Sequence, residues 1–122
     1  MVGLSAAVLA LWALSAQGQS DKQRINTEVS AVWKQFLAAC AQGDLDAALA
    51  FVHPQSRLVP ELRNISAEGL KKLAAAHVAI ELNEAVGPFA ECKVETRQAD
   101  GTHRFYMARL VRSGQSWLIE EF

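Results

Sequence analysis

HVAIELNEAV, residues 77–86, is the stretch on which the fold turns. Val78, Ile80 and Leu82 alternate with Ala79, Glu81 and Asn83, the period of two that describes a strand with one wet face. Upstream the apolar residues recur every three or four positions, so the chain changes from helix to strand at His77. Downstream, Gly87-Pro88 interrupts, and Ala90, Cys92, Val94 and Thr96 alternate with Glu91, Lys93, Glu95 and Arg97 as a second strand. Asp100-Gly101 predicts a hairpin into a third strand over 103–112, and Ser113-Gly114-Gln115 a turn into a fourth over 116–122.

Before His77 the pattern is helical. Ile25, Val29, Val32, Trp33, Phe36, Leu37 and Cys40 form one wide apolar stripe, which Gly43 stops. Asp44 is placed to cap a short second helix that buries Leu45, Ala48, Leu49 and Val52 and ends at His53-Pro54, because a residue before proline leaves the α region. Residues 55–64 predict a third short piece with Leu58, Leu62 and Ile65 inward, and Ser66 an N-cap for a helix over 67–76. Helices first and an antiparallel meander second specify an α+β fold, with N-terminal helices packed on a strongly curved antiparallel sheet of about four strands.

The third strand is apolar in both phases. Tyr106, Ala108 and Leu110 share one, while Phe105, Met107 and Val111 share the other with Arg109. Helices cover one sheet face, so a concave pocket, a dimer partner or closure of the sheet on itself must cover the other.

The chain has 122 residues, enough for one small domain, and its 12 Lys and Arg against 13 Asp and Glu exclude a polybasic nucleic-acid binder. Its first charged side chain is Asp21. The uncharged run LSAAVLALWAL over 4–14, followed by Ala16 and Gly18 at the -3 and -1 positions, reads as a signal peptide over 1–18 preceding one domain over 19–122. The run is too short to span a bilayer. The expected product is exported, periplasmic or secreted, and membrane-attached only if the leader is retained. Export permits a disulfide between Cys40 and Cys92; two buried thiols are the equal alternative.

No pattern calls for a metal, a cofactor or a catalytic set. Arg109 can offer a guanidinium to an anion on an apolar wall, but pairing with Glu95, Glu120 or Glu121 across the sheet is favoured. Tyr106 can place a hydroxyl on the opposite face, with core packing as its alternative. His53, at a helix exit, reads as a cap on the last carbonyls or as a residue at a pocket mouth. His77 reads as a cap at the helix-to-strand boundary, and His103 as solvated.

Trp33-Lys34-Gln35-Phe36 in the first helix, Ala41-Gln42-Gly43-Asp44-Leu45-Asp46-Ala47-Ala48-Leu49 leading to Phe51-Val52-His53-Pro54, and the closing Gly114-Gln115-Ser116-Trp117-Leu118-Ile119 resemble the nuclear transport factor 2-like superfamily. The resemblance implies a cone-shaped α+β scaffold and says little about chemistry, since such scaffolds serve enzymes, ligand binders and domains without activity. It is nearest to small exported bacterial members. Against the isomerase-like enzymes, the first helix has no Tyr and no strand acid has an obvious counterpart, so a non-catalytic domain that dimerises or binds a protein partner through its sheet face is the leading expectation. Binding of a small apolar or anionic ligand inside the cone is the second, and an isomerase or dehydratase the third.

Overall fold

The computed structural model describes the backbone from Val2 to Phe122 and side chains from Asp21 onward. The expected leader over 1–18 and its boundary therefore fall outside the residues whose side chains are described. The elements are α1 (Val2–Ala41), α2 (Leu45–Leu49), α3 (Leu58–Arg63), α4 (Ala67–Ala76), β1 (His77–Val86), β2 (Phe89–Arg97), β3 (His103–Ser113) and β4 (Ser116–Glu121). The sheet is an antiparallel meander in the order β1-β2-β3-β4, the α+β arrangement expected from the change of period.

Each boundary has a local cause. At the end of α1, the Asp44 N–H donates to Ala39 O at 3.1 Å and the Gly43 N–H to Cys40 O at 2.9 Å, the paired bonds of a Schellman motif. That motif needs a left-handed residue, and Gly43 supplies it with φ +68°. Asp44 then caps α2, its Oδ1 accepting from the Ala47 N–H at 3.1 Å. Ser66 caps α4 in the same way through the Gly69 N–H. The turn before β3 is closed by Asp100, whose Oδ1 accepts from both the N–H and the hydroxyl of Thr102.

One face of the sheet carries the core. Leu82, Ala90, Cys92, Val94, Ala108, Leu110, Trp117 and Ile119 are buried against Val29, Trp33, Phe36 and Cys40 of α1 and against Ala48, Leu58, Leu62 and Leu70 of the shorter helices. A register shift between His77 and Ala79 alters the start of β1. Val78, expected to face inward with Ile80 and Leu82, is instead 46% exposed, because a bulge moves the following residues to the opposite phase.

Each sheet edge is met by another part of the chain at one position. On β4 the His53 N–H donates to Ile119 O and the Ile119 N–H to Phe51 O, each at 2.8 Å, so Phe51–His53 runs along the edge as a short parallel bridge. On β1 the Leu82 N–H donates to Oδ1 of Asn26 in α1 at 2.8 Å. A second bulge lies between Leu82 and Glu84.

Candidate functional site

The outer face of the sheet is the surface that the helices leave open. Across β2 and β3, Glu95 stands opposite Phe105, Lys93 opposite Met107, Glu91 opposite Arg109, and Phe89 opposite Val111. Phe105 is 58% exposed, Met107 48% and Val86, on neighbouring β1, 53%. The apolar surplus in the third strand thus reaches solvent, as its two-phase pattern implied. The Lys93 ammonium lies 4.9 Å from the centre of the Phe105 ring, and the Arg109 guanidinium 5.2 Å from that of Phe89, so cations cover part of each aromatic face.

Arg109 is held by a bulge. Leu110 pairs with Ile119 but Arg109 with Glu121, so Glu120 is skipped and two consecutive carboxylates stand beside one guanidinium. Arg109 Nη2 is 3.3 Å from Glu120 Oε1 and 3.3 Å from Glu121 Oε2, and Nη1 is 4.0 Å from Glu91 Oε1. Three carboxylates around one cation leave Arg109 no surplus positive charge for an anion. Of its expected partners, Glu120 and Glu121 are engaged, whereas Glu95 bonds His103 Nδ1 at 2.6 Å. The contact with Glu91 was missed, although it stands two residues from Lys93 in the same phase.

His53 lies beside this cluster. It lines a cleft of about 500 Å³ with Ser56, Arg57, Phe89, Val111, Glu120 and Glu121. Its Nδ1 accepts from the Gln55 N–H at 3.1 Å, which places the ring proton on Nε2. The imidazole therefore organises the turn after it. Ser56 completes the join by donating its hydroxyl to Glu120 O and accepting from the Leu58 N–H. Arg57 bonds Glu61 at 2.8 Å and approaches Glu121 at 3.5 Å, so the cations of this cleft are also matched by carboxylates.

Tyr106 is on the other face, apart from Arg109 and His53. Its hydroxyl bonds Nε2 of His77, and Nδ1 of His77 bonds Leu73 O at 2.6 Å. A carbonyl only accepts, so Nδ1 carries the proton and Nε2 accepts from the phenol. His77 is thus the boundary cap expected, with a second role that no local signal announces. Burial lowers its pKa and outweighs the raising effect of the Leu73 carbonyl; burial also raises that of Tyr106. The pair is neutral at pH 7 and is enclosed by rings. Trp33 meets His77 edge-on at 5.5 Å, and Phe122 lies 5.3 Å from Trp33, 5.8 Å from Phe36 and 6.0 Å from His77.

Cys40 and Cys92 are free and fully buried in the core. Burial pushes their thiols up to about 11 and about 12. Among the described residues no three His, Cys, Asp or Glu side chains converge as metal ligands, and no helix is long and apolar enough to cross a membrane.

No family model and no curated protein matches this sequence. Among solved structures, a Campylobacter jejuni protein described as "Putative NTF2-like transpeptidase" is similar to this chain at 12% identity and a TM-score of 0.42, over 73% of this chain and 94% of its own. The fold assignment rests on the architecture of the described residues: four helices followed by a four-stranded antiparallel meander, with the helices packed against one sheet face. That arrangement is consistent with a nuclear transport factor 2-like fold.

Proposed function

We propose that this protein is an exported, non-catalytic domain that acts as a homodimer through the outer face of its sheet. The observation that carries this reading is the exposure of Phe105, Met107 and Val86 on the face opposite the helices. A two-fold partner presents the same patch, so the patch must complement itself. This one holds both signs in adjacent rows: Lys93 and Arg109 alternate along the sheet with Glu81, Glu91, Glu95 and Glu121. A four-stranded face whose strands run 10, 9, 11 and 6 residues at a spacing of about 4.8 Å covers about 600 Å², somewhat below the roughly 800 Å² per partner of a stable interface.

Sedimentation velocity at micromolar concentration tests the reading. The wild-type chain is expected to sediment as a dimer, and the double variant Phe105→Glu with Met107→Glu as a folded monomer. A wild-type monomer across that range refutes it. The export part is checked separately by mass spectrometry of the product recovered outside the cytoplasm, whose first residue is expected to be Gln19.

A further inference from the structure

The strongest unassigned feature is a groove of about 330 Å³ where α2, α3 and the Val52–Pro54 segment meet β4. Leu49, Val52, Pro54, Val59 and Leu118 line it, and its one charged lining residue is Arg63, in the last turn of α3. The contrast with the His53 cleft is electrostatic. There, Arg57 and neighbouring Arg109 are each matched by carboxylates. Among the described residues Arg63 enters no ion pair. What sets Arg63 apart from other unpaired cations is its place on an aliphatic trough: an exposed guanidinium at the rim suits an alkyl chain ending in an anion.

We infer that this groove binds a medium-chain carboxylate, with the alkyl chain against Leu49, Val59 and Leu118 and the carboxylate on Arg63. Size sets the chain length. A methylene takes up roughly the 30 Å³ of a liquid water molecule, so 330 Å³ accommodates a chain of about ten carbons. Leu118 is in register with Val111 of the outer sheet face, so the groove borders the proposed dimer face at β4, but it shares no residue with the Phe105, Met107 and Val86 patch or with the His77–Tyr106 pair; a failed titration leaves the sheet-face reading untouched.

Isothermal titration calorimetry with sodium decanoate, below its micelle threshold, and with 1-decanol tests the assignment. Decanoate is expected to bind one per chain, more weakly as the alkyl chain is shortened to hexanoate. Arg63→Gln is expected to weaken decanoate at least tenfold while leaving decanol unchanged, because only the carboxylate uses the guanidinium. Ala50, at the C-cap of α2 with helical backbone angles, is exposed and lines the groove, so a larger side chain there is expected to be accommodated by the fold. Ala50→Phe is expected to abolish binding of both ligands by filling the trough. Melting curves of both variants are expected to match the wild type, since neither side chain is buried. Absence of decanoate binding to the wild type, equal decanoate affinity in Arg63→Gln, or binding that survives Ala50→Phe in a folded protein each overturns the inference.

Discussion

His77 joins three parts of the molecule through one ring: the end of α4 through Leu73 O, β3 through Tyr106, and α1 through the edge of Trp33. Its folded pKa lies below the 6.5 of an unperturbed histidine. An unfolded chain therefore takes up a proton near pH 6.5 while the folded one still refuses it, and stability falls as the pH drops through that window. Above pH 6.5 both states are neutral here and the contribution is flat. Melting temperature followed from pH 7.5 to 5 is expected to decline in the wild type, and to decline less steeply in His77→Gln; equal slopes would remove His77 as the cause. The cysteines give a second prediction at this scale. With its thiol held at about 11, only about one Cys40 side chain in a thousand is thiolate at pH 8. A disulfide-exchange chromophore is expected to react over hours with the native protein and within minutes in denaturant without reductant, releasing two equivalents. No release in denaturant would show that Cys40 and Cys92 are bonded.

At the scale of elements, two small contacts decide boundaries. Gly43→Ala forces a Cβ into left-handed backbone and sets it 3.2 Å from Ala67 Cβ, for an expected loss of about 1–2 kcal/mol in urea unfolding. Asn26→Ala leaves the Leu82 N–H of β1 without its partner, at a cost of roughly 1–3 kcal/mol. Hydrogen exchange separates this from a general loss of stability, since the Leu82 amide is expected to lose protection well before its neighbours on β2. How well each contact could be foreseen differs for a physical reason. Gly43 and Asp44 act on residues within a turn of themselves, so their roles were legible in the sequence, as were Ser66 and the Asp100-Gly101 hairpin. The bulges were not, because alternation of residue type continues unbroken through a register slip. That is why Val78 was expected inside, and why Glu120 and Glu121 were expected as alternative partners of Arg109 and not as two at once. The His77–Tyr106 bond, 29 residues apart in sequence, depends on how β1, β2 and β3 align and has no local signature.

At the scale of the molecule, the apolar content of both phases of β3 was readable in the sequence, and the exposure of Phe105 and Met107 follows from it. The place of the proposed ligand groove was not readable. The Arg63 groove gathers residues from α2, the following segment, α3 and β4, and no two of these elements are consecutive strands whose spacing could have revealed it. Salt distinguishes hydrophobic from electrostatic control of the proposed dimer. The paired charges among Glu91, Arg109, Glu120 and Glu121 are partly exposed and worth little individually, whereas removing Phe105 and Met107 removes apolar area. The dimer is therefore expected to persist at 1 M sodium chloride in sedimentation velocity, and its dissociation there would assign the association to the ion pairs.

The edges govern what such an association can become. A sheet with bare rims can be lengthened by further strands without limit, and chains that meet in this way form fibres. Here Phe51–His53 meets the rim of β4, and Asn26 with two kinks interrupts that of β1. These contacts and kinks disfavour the addition of further strands, which favours the broad surface between the edges. In the proposed dimer, two copies meeting there would consume each other's contact area, so that assembly would stop at a finite size.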